Sequence, residues 1–355
     1  MNISQADHVI DQDLESIASH PLPWQNFAGA TVLISGASGF LPAYMVETLL
    51  YLNRHLLERP ARIIALVRNQ ARARARFARY EGRDDLRFLV QDVSYPLTKS
   101  LACDYIVHAA SQASPIYYKT DPVGTLSANV LGTYHLLNTA RHGDCRGFLF
   151  FSSGDVYGQL SPDLEWVSEE MGGSLDPTSV RSCYGESKRM GETMCACWAQ
   201  QYGIPTRIVR PGHTYGPGMR LDDGRVFADF VRDIVNGGPI VLLSEGSARR
   251  SFCYLLDATI AFFTVLLKGQ SGQAYNVSNP DQCYSIAELA DRLAAVFQSD
   301  NICVERRLRS DSNYFVSPVR GTRMNIDKLK ALGWQPRISI EEGFLRSVQY
   351  FREPH

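Results

Sequence analysis

From Thr31 onward, short apolar and β-branched runs alternate with longer stretches of helical periodicity. TVLIS is followed by PAYMVETLLYLNRHL, RIIALV by an arginine-rich stretch near 70–80, and RFLV by a short connection into YIVHAA. The helix GTLSANVLGTYHLLNTAR, the strand FLFFSS, the helix around ESKRMGETMCACWAQQYG and the strand TRIVRP continue the alternation. Strands with intervening helices predict βαβ units, hence a doubly wound parallel sheet covered on both faces. After Pro211 the rhythm breaks at Gly212, Gly216, Pro217, Gly218 and Gly224, and short elements run to the C-terminus. A smaller α/β lobe over the carboxyl edge of the sheet is expected, with a ligand cleft between the lobes. The expected division is an N-terminal arm over 1–28, a nucleotide domain over 29–211 plus about 254–279, and a substrate lobe over 212–253 and 280–355. The arm reads as a short amphipathic helix (Val9, Ile10, Leu14, Ile17) before a turn at Pro21 and Pro23.

Composition narrows the partners. A length of 355 residues with 45% hydrophobic and 21% charged residues is ordinary for a two-lobed globular chain. Thirty-six basic against 37 acidic residues leave a net charge of -1, so no global field holds a polyanion, and nucleic acid is not an expected partner. No apolar run reaches the roughly 18 residues of a membrane span. The first 30 residues carry Asp7, Asp11, Asp13 and Glu15 in place of an export signal, so a cytoplasmic protein without membrane contact is expected. The eight cysteines have no CxxC pairing and read as structural thiols, with no metal site.

The first strand runs into Gly36-Ala-Ser38-Gly39-Phe40-Leu41-Pro42 and then a helix. The spacing is looser than GxGxxG, and such a glycine-rich turn either carries a diphosphate to a helix N-terminus, as in a Rossmann dinucleotide site, or is an ordinary βα turn; its place after a strand and before a helix favours the first. Pro42 stands where a third glycine is usual, and costs little in the first helical turn. The second strand ends Leu66-Val67-Arg68-Asn69, with no acid for the adenine ribose. Arg68, with Arg72, Arg74 or Arg76, either meets a 2′-phosphate or belongs to a solvated helix face. Asp92-Val93, after the third strand, suits either an adenine contact or a plain turn.

Tyr184 and Lys188 form a YxxxK pair one helical turn apart. A lysine cation beside a phenol, reinforced by an oxidised nicotinamide, is expected to lower the tyrosine pKa from near 10 and make it a base toward a sugar hydroxyl. Upstream, FLFF ends in Ser152-Ser153-Gly154-Asp155-Val156-Tyr157-Gly158, bringing hydroxyls and a carboxylate to the sheet's carboxyl edge. Asp155 either acts as acid or base at a sugar carbon or caps its turn.

Together these pieces resemble the nucleotide-sugar branch of the extended short-chain dehydrogenase/reductase family, from Thr31 to Phe351. The resemblance is strongest to UDP-glucuronate decarboxylases (UDP-xylose synthases), then to dTDP-glucose 4,6-dehydratases and UDP-hexose 4-epimerases. It is carried by HAASQASPIYYKTDPVGTLSANVLGT, SSGDVYG, CYGESKRMGE, RPGHTYGPGMRLDDGRVFADFV, SARRSFCYLLD and LGW at 332–334. It implies Ser153, Tyr184 and Lys188 as the hydride-transfer set, Asn129 supporting the lysine through water, and Asp155 where decarboxylases and dehydratases have glutamate. Cofactor contacts are expected from Gly36, Ser38, Gly39, Phe40, Leu41, Arg68, Asp92, Val93, Ala109, Ala110, Ser111, Tyr184, Lys188 and Pro211. Substrate contacts are expected from Ser114, Tyr117, His213, Arg225, Arg250, Arg320 and Arg323. His213 stands where the family usually has asparagine.

The implied reaction oxidises the sugar at C4, decarboxylates or dehydrates the 4-keto sugar, and returns the hydride, so NAD is recycled; the missing acid after Val67 keeps NADP open. A 4-epimerase or 4-keto reductase is the alternative, and a catalytically silent NAD(P)-binding protein a distant one. The implied partners are a nucleoside-diphosphate sugar and a second copy of the chain, paired through helices near 122–141 and 184–202. Leu126, Leu131 and Met194 face either that partner or the core.

Overall fold

The computed structural model describes residues 5–97, 101–161, 163–307 and 323–352. Seven parallel strands form the main sheet, in the order Gln273–Val277, Thr206–Pro211, Gly147–Phe151, Tyr105–His108, Thr31–Ser35, Arg62–Val67, Leu86–Val90. Thr31–Ser35 and Gly147–Phe151 are buried at every position, as expected where helices cover both faces. Leu86–Val90 lies at the edge and leaves Val90 exposed. The strand order reverses between Thr31–Ser35 and Tyr105–His108. The crevice beyond their carboxyl ends is where a doubly wound sheet binds ligands.

The helices Phe40–His55, Pro122–Arg141, Cys183–Tyr202 and Leu255–Lys268 pack on the sheet. Beyond Pro211 a small sheet forms: His213–Tyr215 runs parallel to Arg249–Tyr254, which pairs antiparallel with Cys283–Ser285. The chain then returns to the main sheet through Leu255–Lys268 and Gln273–Val277. Trp334 of the closing LGW is buried, and its indole donates to Asp257 O at 2.9 Å.

The N-terminal segment is part of the main core. Helix Gln5–Ala18 buries Ala6, Val9, Ile10, Leu14 and Ile17 and packs on Phe40–His55, Leu255–Lys268 and the last helix, Ile340–Phe351. Asp13 on that helix is fully buried and accepts from Tyr44 (3.0 Å), Tyr254 (2.8 Å) and Arg346 (2.5 Å). Burial outweighs these partners and pushes its carboxyl up to about 6.

Candidate active site

The glycine turn follows the first strand directly. Gly36 has φ +66, and a Cβ there would lie 2.7 Å from Ala110 Cα, so only glycine lets the turn close on the end of the fourth strand. Ser35 Oγ ties that end in place: it bonds His108 Nδ1 at 2.8 Å and accepts from Ala109 N and Ala110 N at 3.2 Å. Gly39 opens the sixteen-residue helix Phe40–His55 with no side-chain cap, so the first-turn amides near Phe40 and Leu41 remain for an anion. Ser38, Phe40 and Leu41 are partly exposed at this turn, and Pro42 sits in the first helical turn. Ser111 Oγ and Asn129 Oδ1 are buried without a protein hydrogen-bond partner. Glycine cradle, uncapped helix and two orphaned acceptors fit a pyridine dinucleotide.

At the adenine corner, Arg68 lies 3.7 Å from Asp92, and Asp92 also accepts from Ser94 N and Oγ at 2.9 and 2.7 Å. Val93 is buried beneath Gly132. Arg76 does not join this corner, contrary to the expectation for the arginine run. It pairs with the fully buried Glu47 at 3.0 Å, because a buried carboxylate must be matched by a cation.

The other end of the crevice gathers the chemistry. Helix Cys183–Tyr202 lies close on strand Gly147–Phe151: a Cβ on Gly191 would fall 2.2 Å from Phe150 Cζ. That approach brings Lys188 over the end of the strand, where its ammonium donates to Phe151 O at 2.6 Å and stands 5.7 Å from the Tyr184 ring centre. Ser153, two residues past the strand, is extended and caps the next turn; its hydroxyl accepts from Asp155 N at 3.2 Å and bonds the Tyr184 phenol. Asn129, on the neighbouring helix, donates to Ser187 Oγ at 2.9 Å.

Burial governs both partners of the YxxxK pair. It raises the Tyr184 phenol, and the nearby Asp155 charge adds to the rise; the Ser153 bond, Arg225 and Arg181 oppose it. It lowers the Lys188 ammonium to about 7, with Glu192 acting in the opposite direction. In the protein alone the phenol therefore stands above its ordinary value, where a lowering was expected, because desolvation is the largest cause.

Asp155 does not cap its turn. Its carboxylate faces Arg181 at 3.6 Å, and burial raises its pKa against the pull of Arg181 and Arg250. Arg181 lies 4.9 Å over the ring of Tyr118, and Tyr118 stacks on Tyr184 at 4.9 Å and 20°. Sequence reasoning selected Tyr117 and passed over Tyr118 and Arg181. Tyr117 points instead to Arg220. The available signal was the basic residue three positions before Tyr184 and the second tyrosine of the YY pair.

The segments after Pro211 bring a neutral histidine and several arginines to this region. His213 lies between Phe227 and Phe252, and burial with the charges of Arg250 and Arg225 lowers it to about 3, so it is neutral. Arg225 is held by Asp223 (Nε to Oδ2, 2.7 Å), and Ser114 Oγ donates to Asp223 O at 3.1 Å, fastening this loop to the YYKT helix. Arg323 lies in a short strand beside Trp166–Val167, 5.5 Å over the Trp166 ring. Its neighbour Met324 reaches the backbone near Gly154 and Gly212, and Pro211 O also lies near Gly154. Arg320 lies outside the described residues. No group of acids, histidines and cysteines suited to a metal is present among the described residues.

A polar chain backs the site. Arg210 grips Glu192 at 2.6 and 2.8 Å, Glu192 accepts from Ser152 Oγ at 2.5 Å, and Arg210 meets Tyr157 at 3.0 Å. Ser152 therefore faces away from the crevice.

Residues 32–278 match the NAD dependent epimerase/dehydratase family. The chain is 31% identical over 322 residues to UDP-glucuronic acid decarboxylase 6 of Arabidopsis thaliana, covering 90% of this chain and 88% of that protein. It is 29% identical over 324 residues to UDP-glucuronic acid decarboxylase 1 of Xenopus tropicalis, covering 91% and 72%. In fold it is similar to UDP-glucuronic acid 4-epimerase from Bacillus cereus in complex with UDP-glucuronic acid and NAD, with TM-score 0.73, 21% identity and coverage of 90% and 98%. It is also similar to dTDP-glucose 4,6-dehydratase from Bacillus anthracis in complex with NAD, with TM-score 0.72, 19% identity and coverage of 91% and 96%.

Proposed function

The chain belongs to the NAD dependent epimerase/dehydratase family, and from that premise we propose that it decarboxylates a nucleoside-diphosphate uronate, of the UDP-glucuronate kind, through a 4-keto intermediate. The observation that carries this reading is the convergence of Tyr184, Lys188 and Ser153 with a carboxylate and guanidinium pair, Asp155 and Arg181. The relatives named as UDP-glucuronic acid decarboxylases support it.

A bound nicotinamide ring supplies the hydride acceptor and, later, the donor. Tyr184 takes the C4 hydroxyl proton as the C4 hydride leaves, and Ser153 bonds the oxygen that becomes the ketone. Lys188 is the cation that offsets charge on the phenolate. The ketone makes the uronate a β-keto acid; the C5–C6 bond breaks, carbon dioxide departs, and the electron pair stays at C5. Asp155, whose pKa burial raises, is the group placed to protonate C5, with Arg181 balancing the carboxylate that remains. The hydride returns to C4 and Tyr184 returns the proton. Arg225 and Arg250 form the cationic wall for the diphosphate, and the neutral His213 beside them offers a ring N–H donor.

The same raised carboxyl favours a second reading, elimination of water from a 6-hydroxy sugar. Incubation with UDP-glucuronate, dTDP-glucose and UDP-glucose separates the readings by product mass: loss of about 44 units for decarboxylation, about 18 for dehydration, none for epimerisation. Turnover of UDP-glucuronate without loss of mass overturns the first reading.

The nucleotide lobe of this reading spans 29–211 with 254–279. Val123, Leu126, Leu131, Tyr134 and Met190 leave apolar surface on the helices Pro122–Arg141 and Cys183–Tyr202, which supports a homodimer paired there. Met194 packs inward. Eight free thiols suit the reducing cytoplasm, and no helix among the described residues is long and apolar enough to cross a membrane. A sugar nucleotide made there would serve polysaccharide biosynthesis.

A further inference from the structure

The end of strand Arg62–Val67 is fastened to the glycine turn. Ser35 pairs opposite Leu66, and Gly36 N and Ala37 N both donate to Leu66 O, at 2.9 and 3.4 Å. On the other side, Gln91 N donates to Val67 O at 3.0 Å. Arg68 is thus the first residue past the strand, beside the turn that fits the pyrophosphate. This is the corner where a doubly wound fold uses a carboxylate for a ribose diol or an arginine for a 2′-phosphate.

No carboxylate stands at the strand end itself. Asp92, after the next strand, accepts twice from Ser94 through Oδ1 and turns Oδ2 toward Arg68, and Asp121, which feels the Arg68 charge, accepts from Gly124 N at 3.0 Å and Gln112 at 2.8 Å. Asn69 spends its Oδ1 on Arg72 N at 2.9 Å. Arg68 itself is 59% exposed, and its 3.7 Å approach to Asp92 is longer than a formed charge-assisted bond. The basic stretch divides around it. Arg76 is tied to Glu47 and Arg79 to Asp7 and Asp11, whereas Arg72 and Arg74 stay exposed. Arg72 also acts on the Asp222 carboxylate.

We propose that this corner takes the 2′-phosphorylated dinucleotide, NADP, in preference to NAD, with Arg68 as the phosphate's principal partner. The inference rests on the dinucleotide reading of the site and is independent of which sugar is modified. A ribose diol gives Arg68 only neutral acceptors, whereas a 2′-phosphate gives it a dianion suited to a bidentate guanidinium.

The test is binding, not turnover. Dinucleotide released from the purified protein on denaturation is identified by mass, and NADPH and NADH are titrated by nicotinamide fluorescence into the wild type and Arg68→Ala. The expected results are release of NADP, tighter binding of NADPH by about tenfold or more in the wild type, and a ratio near one in the variant with NADH affinity kept, the gain from charge-assisted bonds to one guanidinium. Equal or tighter NADH binding in the wild type, or a ratio that Arg68→Ala leaves unchanged, overturns the inference while the dinucleotide reading stands. Binding of neither dinucleotide overturns both.

Discussion

Replacing Gly191 by alanine probes how the catalytic helix is seated. The new methyl would lie 2.2 Å from Phe150 Cζ, so ring or helix must yield by roughly 1.3 Å or more to reach ordinary carbon contact. Phe150 is fully buried, with the Lys188 ammonium 5.1 Å over its ring, so the clash pushes on the lysine as well as the helix. Overpacking of this kind costs about 1–3 kcal/mol of stability. A shift of about 1 Å in Tyr184 and Lys188 relative to Ser153 costs on the order of 100-fold in kcat. Arg225 and Arg250, proposed to hold the diphosphate, lie on elements other than this helix, so KM should change little. Steady-state kinetics and thermal unfolding measured together make the test. A variant with wild-type kcat, or one whose loss lies wholly in KM, would refute the claim that close helix–strand contact sets the catalytic geometry.

Asp13→Asn should change how stability depends on pH. The Asp13 carboxyl titrates near 6 in the folded chain against 3.8 unfolded, so its contribution is fully present below 3.8 and is lost as pH rises through about 6. Asparagine does not titrate, so the variant should gain about 3 kcal/mol relative to wild type between roughly pH 4 and pH 7. Urea unfolding at the two pH values reads this directly, and parallel behaviour would contradict the buried-carboxylate account. Asp155→Asn should lower kcat by about 100-fold or more while the melting temperature stays near that of the wild type, since it removes a proton carrier from a partly open crevice; unchanged kcat excludes Asp155 from the chemistry.

The periodic features were legible in the sequence. The strand runs, the glycine turn, YxxxK and the SSGD strand end each sit within one local segment whose spacing repeats the geometry of a strand or helix. What escaped depends on contacts between distant segments. Tyr118 meets Tyr184 across 66 positions only because the YYKT helix folds over the crevice. Arg76 looked like its exposed neighbours in an alternating run, yet burial of Glu47 on another helix claims it. Likewise the net shift of the Tyr184 phenol could not be read from spacing, because it depends on how completely burial removes water from the ring.

The central claim is that hydride leaves C4, is held within the site, and returns to the same carbon after Tyr184 has taken and restored the hydroxyl proton. The most direct measurement is turnover of UDP-glucuronate deuterated at C4, with the product examined by proton NMR. Deuterium retained at C4 of a UDP-pentose is the predicted result. A product carrying hydrogen at C4, or decarboxylation that survives Tyr184→Phe undiminished, would contradict it.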